Sequence, residues 1–111
     1  MATELTEEQF EQRADLELHA LEQALADLGL DLEVELQMGI LSIEPPKGTT
    51  YVINSHRAAK QIWMAAERTA WHFDPLPDGR WVAAKSGDEL WSTLARVLGE
   101  KLGRTIPLAK A

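Results

Sequence analysis

The chain has 111 residues, 45% hydrophobic and 26% charged, and no cysteine. That allows one domain with one core and excludes disulfides, thiol nucleophiles, thiolate zinc sites and cysteine-held clusters. The net charge of −7 is unevenly spread: residues 1–46 hold twelve carboxylates and one base, Arg13, whereas residues 47–111 hold ten bases and six carboxylates.

The opening "MATELTEEQF" has neither a secretory apolar core nor an Arg-rich transit pattern, so a cytosolic (cytoplasmic) chain is expected. Thr6 and Gln9 form the capping box "TEEQ", which starts a helix. Phe10, Ala14, Leu18, Leu21, Leu25 and Leu28 follow at spacings of four and three, and Gly29 ends the stripe. "LEVELQM" then alternates, with Leu32, Val34, Leu36 and Met38 on one face and Glu33, Glu35 and Gln37 on the other, as in a half-buried strand. Gly39 marks a turn, and "ILSIE" is a second strand closed by Pro45-Pro46-Lys47-Gly48. "TTYVIN" (49–54), "QIWMAA" (61–66), "WHFD" (71–74) and "RWVAA" (80–84) read as four more strands, the last two joined by the Asp-Gly turn of "PLPDG". Ser86 and Glu89 resemble a second capping box, and Leu90, Leu94, Val97, Leu98 and Leu102 line a closing helix that Gly103 caps.

Helix, six short strands and helix make an α+β domain over residues 1–111. Strands at hairpin spacing pair antiparallel, and two amphipathic helices need one shared surface. The expected architecture is a two-layer α-β sandwich with both helices on one face of the sheet and the other face open. No apolar run approaches the roughly 20 residues of a membrane-spanning helix.

Two constellations stand out. Glu8, Glu11, Asp15 and Glu22 recur at intervals of three, four and seven on the first helix, with His19 on the same line. Asp27, Asp31, Glu33 and Glu35 carry the acidity past the helix end and along the first strand. Such a run is either a solvated face or a carboxylate surface for hard cations or a basic protein; its sign does not suit nucleic acid. The lack of interspersed bases favours the second reading, with loose and weak binding rather than a closed metal cage. His19, His56 and His72 show no metal-ligand spacing and are expected to be incidental. The second constellation is Trp63. It falls in the outward register of "QIWMAA", beside Gln61 and near Asn54, where it either packs under a loop or serves as an anchor for a partner. Trp71, Trp81 and Trp91 read as core or core-edge residues. The motifs of phosphate loops, nucleophile elbows, zinc proteases and dinucleotide sites are missing, so an enzyme is not expected.

"YVIN" followed by "KQIW", then "HFD", then a Trp ahead of "SGDELWSTL" resembles the frataxin family, most closely its bacterial CyaY-like members, across about the whole chain. The resemblance implies an α-β sandwich and a role in iron–sulfur cluster assembly as a regulator or adaptor. It further implies iron, ferrous or ferric, held weakly on the ridge of Glu8, Glu11, Asp15, Glu22, Asp27, Asp31, Glu33 and Glu35, with no organic cofactor. Docking on a cysteine desulfurase and its scaffold protein would use Asn54, Gln61 and Trp63. The loop "SHRAAK" departs from the family in lacking its glutamine and proline, and Leu28-Gly29-Leu30 is less acidic, so a thinner ridge is expected. A monomer is expected. Two alternatives stand beside this: a ferroxidase or iron-storage protein acting as an iron-loaded oligomer, and a pure adaptor whose acidity never meets metal.

Overall fold

The structure, a computed structural model, describes residues 5–110. Helix α1 (Glu7–Asp27) starts where its cap places it. Thr6 Oγ1 accepts from the Gln9 N–H at 3.0 Å, and Gln9 Oε1 accepts from the Thr6 N–H at 2.9 Å. Strands β1 (Glu33–Gln37), β2 (Ile40–Glu44), β3 (Tyr51–His56), β4 (Gln61–Ala66), β5 (Thr69–Pro75) and β6 (Trp81–Ala83) follow, then helix α2 (Leu90–Leu102). The strands form one antiparallel sheet in sequence order. Helix α1 lies over β1–β3 and α2 over β6, so both cover one face. The α+β two-layer sandwich is as expected.

Apolar side chains at alternate strand positions meet the helices. Leu41, Ile43, Tyr51, Ile53, Ile62, Met64, Phe73 and Trp81 are buried with Phe10, Leu18 and Leu21 of α1 and with Leu90, Leu94 and Leu98 of α2. Phe10 meets Trp81 edge-on at 5.8 Å between centroids, a geometry the ring quadrupoles favour. Trp91 is buried with its indole N–H on the buried Glu17 carboxylate, which also accepts from Lys110 Nζ at 2.8 Å. That bond secures the C-terminal segment to α1. Trp71 is half-buried and donates to Asp88.

Three local expectations are corrected. Met38 does not continue the inward stripe of the first strand: it is 93% exposed. Gln37 pairs with Ile40, so Met38 and Gly39 form a two-residue turn with φ of 52° and 77°, and positive φ at both positions lifts Met38 off the alternation. Ser86 does not cap α2. The Ala83 N–H bonds the Asp88 carbonyl and the Gly87 N–H bonds the Ala83 carbonyl, which folds residues 84–88 back onto β6. The cap falls on Glu89, whose carboxylate accepts from the Trp91 and Ser92 N–H groups at 2.9 and 3.1 Å. The third and fifth strands also shift, β3 ending at His56 rather than at residue 54 and β5 beginning at Thr69 rather than at residue 71. Among the described residues, no helix is long and apolar enough to cross a membrane.

Candidate functional site

The uncovered face of the sheet is set by register. Glu35 pairs with Ser42, Ser42 with Val52 and Val52 with Ala65, so Glu33, Glu35, Asn54, Gln61 and Trp63 all project from the open side. Asn54 lies directly opposite Trp63, and Trp63 opposite His72. Trp63 therefore points where its register predicts, but it is half-buried rather than freely exposed. The cover is aromatic. The His56 ring stacks on one face of the indole at 3.8 Å and 16°, and His72 on the other at 4.2 Å and 13°. Hairpin register brings both histidines to the tryptophan, where they act as ring partners. The indole N–H donates to Gln61 Oε1 at 2.8 Å, and Gln61 Nε2 donates to Asp74 Oδ1 at 3.0 Å. The edge of a pre-oriented ring, two imidazoles and two amides thus form the presented surface.

The acidic residues lie along the sheet edge formed by β1. Glu8, Glu11, Asp15, Asp27, Asp31, Glu33 and Glu35 are exposed, and Glu22 is half-buried. The α1 members belong to the helix layer, while Glu33 and Glu35 face the other way, because Val34 and Leu36 pack against the core. The ridge therefore wraps around the β1 edge. Glu44 pairs opposite Glu33 and adds a carboxylate to it, at the cost of like charges facing each other across the ladder. Glu8, Glu11 and Asp15, with Met38, border a shallow hollow of about 440 Å³ between α1 and the β1–β2 turn.

The ridge is less free of bases than the sequence implied. Arg57, from the β3–β4 loop, places Nε 2.9 Å from Glu7 Oε1 and Nη1 3.3 Å from Glu11 Oε1. His19 turns back on its own helix, with Nδ1 2.8 Å from the Asp15 carbonyl. Among the described residues, no group of three or more His, Asp or Glu side chains is clustered to hold a metal ion. Separate exposed carboxylates can attract a hard cation and exchange it quickly, without a fixed coordination shell.

Residues 3–104 match the model of the frataxin-like domain family. The chain belongs to that family. It is 33% identical over 103 residues to the iron-sulfur cluster assembly protein CyaY of Azotobacter vinelandii, covering 92% of this chain and 94% of the relative. It is 30% identical over 90 residues to the CyaY of Vibrio cholerae, covering 81% and 86%. A frataxin from Psychromonas ingrahamii shares the fold, with a TM-score of 0.88 and 24% identity over 96% of this chain and all of that one. The trimeric frataxin of Saccharomyces cerevisiae superposes with a TM-score of 0.72 at 33% identity, covering 83% and 80%.

Within this frataxin, four site neighbours escaped the sequence reading: Glu44, His56, Arg57 and His72. Glu44 was accessible, since a turn at Met38-Gly39 fixes Glu33 opposite it. The pairing of Trp63 with His72 depends on a turn at Glu67-Arg68 that contains no Gly, Asn, Asp or Pro to announce it.

Proposed function

We propose that this frataxin acts in iron–sulfur cluster assembly in the cytoplasm as a non-enzymatic regulator that docks on a cysteine desulfurase and its scaffold protein. The assembly role rests on the relatives named above. The structural observation that carries the docking is that Glu33, Glu35 and Trp63 project from one uncovered face of the same sheet. Carboxylates at its edge attract a basic surface and set the encounter, while the indole edge with Asn54 and Gln61 supplies oriented contact area. Trp63 arrives stacked and hydrogen-bonded, so little side-chain freedom is lost on contact.

Iron in this reading is cargo. The ridge of Glu8, Glu11, Asp15, Glu22, Asp27, Asp31, Glu33 and Glu35 offers only the oxygen ligands that hard cations prefer. Because these groups are spread along an edge, iron is held weakly and passed on easily. The test is a titration of the desulfurase rate with this frataxin, with and without ferrous iron. Wild-type chain should change the rate with a saturable dependence. Trp63→Ala carrying reversed ridge charges should not, and a wild-type effect from that variant contradicts the reading.

The trimeric yeast structure keeps a second reading in play, an iron-loaded oligomer that oxidises and stores iron. It predicts oxygen consumption and growth in particle size on addition of ferrous iron. A persistent monomer with no catalysed oxidation excludes it.

A further inference from the structure

The segment between β3 and β4 touches both halves of the candidate surface. His56, the last residue of β3, covers one face of Trp63 at 3.8 Å. Its neighbour Arg57 faces the helix layer and pairs with Glu7 and Glu11 at 2.9 and 3.3 Å. The turn linking them to β4 is tight. The Ala59 N–H donates to His56 Nδ1 at 3.3 Å, the Lys60 N–H donates to the Arg57 carbonyl at 3.1 Å, and Lys60 has φ of 54°. One short turn thus holds a guanidinium on the ridge and an imidazole on the tryptophan, and the imidazole is itself fixed by the turn's backbone.

Arg57 also shows directly what the ridge accepts, a guanidinium bridging two carboxylates of α1. Both ion pairs are solvent-exposed, with side chains roughly half accessible. Pairs of that kind shift an equilibrium only about two- to fivefold each, so an incoming guanidinium can displace this one.

We propose that Arg57 is a tethered internal occupant of the ridge, displaced when a basic partner's arginine engages Glu7 and Glu11, and that its release loosens the 57–60 turn and uncovers the His56 side of Trp63. Charge capture at the ridge then readies the anchor on the open face. By linkage, a partner that seats on Trp63 and moves His56 aside also frees the ridge. The inference rests on the docking role proposed above, but the internal contact can be tested without any partner.

The test follows the Trp63 indole N–H and the His56 ring signals by NMR on the full chain, assigned with Trp63→Phe and His56→Ala. Glu7→Gln/Glu11→Gln and Arg57→Gln should each displace both signals in the same direction, and the combined variant should add nothing further, as expected for one shared contact. Glu35→Gln, a ridge carboxylate without Arg57, should leave them at wild-type positions. Wild-type signals in the Glu7→Gln/Glu11→Gln protein overturn the inference whether or not the ridge docks a partner. A hexa-arginine peptide supplies the second arm. It should move the wild-type signals toward those of Arg57→Gln and bind Arg57→Gln more tightly, by about two- to fivefold for each of the two pairs it no longer has to displace. Lys60→Gln, which removes the same charge from the same turn, should leave the two signals in place. Peptide bound at the ridge with Trp63 unmoved overturns the inference. Carboxylate variants that shift Trp63, with no peptide binding, uphold the internal contact and count against the ridge as a docking surface.

Discussion

A tryptophan on an open sheet face leaves a large apolar ring to water unless something covers it. In this chain two imidazoles do, one from each flanking strand. They reduce the apolar area in water and fix the ring at one angle without removing it from the surface. On the opposite face of the sheet Tyr51 shows what full burial does. Its hydroxyl donates to Glu67 at 2.7 Å, and burial, then that hydrogen bond and the nearby Glu67 and Glu100 charges, push its pKa well above the ordinary value. The folded chain thus keeps a proton that the unfolded chain releases near pH 10. Stability from this group is fully present below about pH 10 and declines as pH rises beyond it. Tyr51→Phe is expected to flatten the fall in urea midpoint above about pH 10 while costing about 1 kcal/mol at neutral pH, because the hydrogen bond to Glu67 is lost. An unchanged alkaline slope would show that another group titrates there.

Among the elements, caps and registers carry the sharpest expectations. Glu89, not Ser86, satisfies the first N–H groups of α2. Glu89→Ala should therefore lower unfolding stability by about 0.5–2 kcal/mol, and Ser86→Ala should change it little; the reverse order in urea unfolding would restore Ser86 as the cap. At the sheet edge, Glu33 faces Glu44. Glu33→Lys converts a repulsive cross-strand pair into an attractive one and is expected to stabilise the chain by about 0.2–1 kcal/mol, with the gain shrinking at high salt. The same change should weaken binding of cations and basic partners. A variant both more stable and a poorer binder would show that the edge acidity is kept at the expense of stability.

At the scale of the whole molecule, much of the fold was legible because its signals are local. The Thr6–Gln9 capping box, the spacing of four and three along α1 and the Asp-Gly turn at Asp78-Gly79 each specify an element from a few neighbouring residues. The α1 ridge was legible for the same reason, since charges at helical spacing share a face. What the sequence did not disclose lies in pairings between strands. His56 and His72 reach Trp63 only once two hairpin registers are known, and neither turn, at residues 57–60 or at Glu67-Arg68, contains a Gly, Asn, Asp or Pro to mark it. Arg57 reaches Glu7 and Glu11 across fifty and forty-six positions of chain, a distance no periodicity spans. The hidden parts of the site are thus its tertiary contacts. They also separate this chain from a bare acidic ridge with an exposed ring.

The central claim is that ridge and Trp63 face form one docking surface for the cluster-assembly machinery. Its most direct test is the affinity of this frataxin for the desulfurase–scaffold complex, measured for wild type, Trp63→Ala, Glu33→Lys/Glu35→Lys and all three together. The account predicts that each set weakens binding on its own, and that only the ridge set reduces the salt dependence. Wild-type affinity in the combined variant would contradict it.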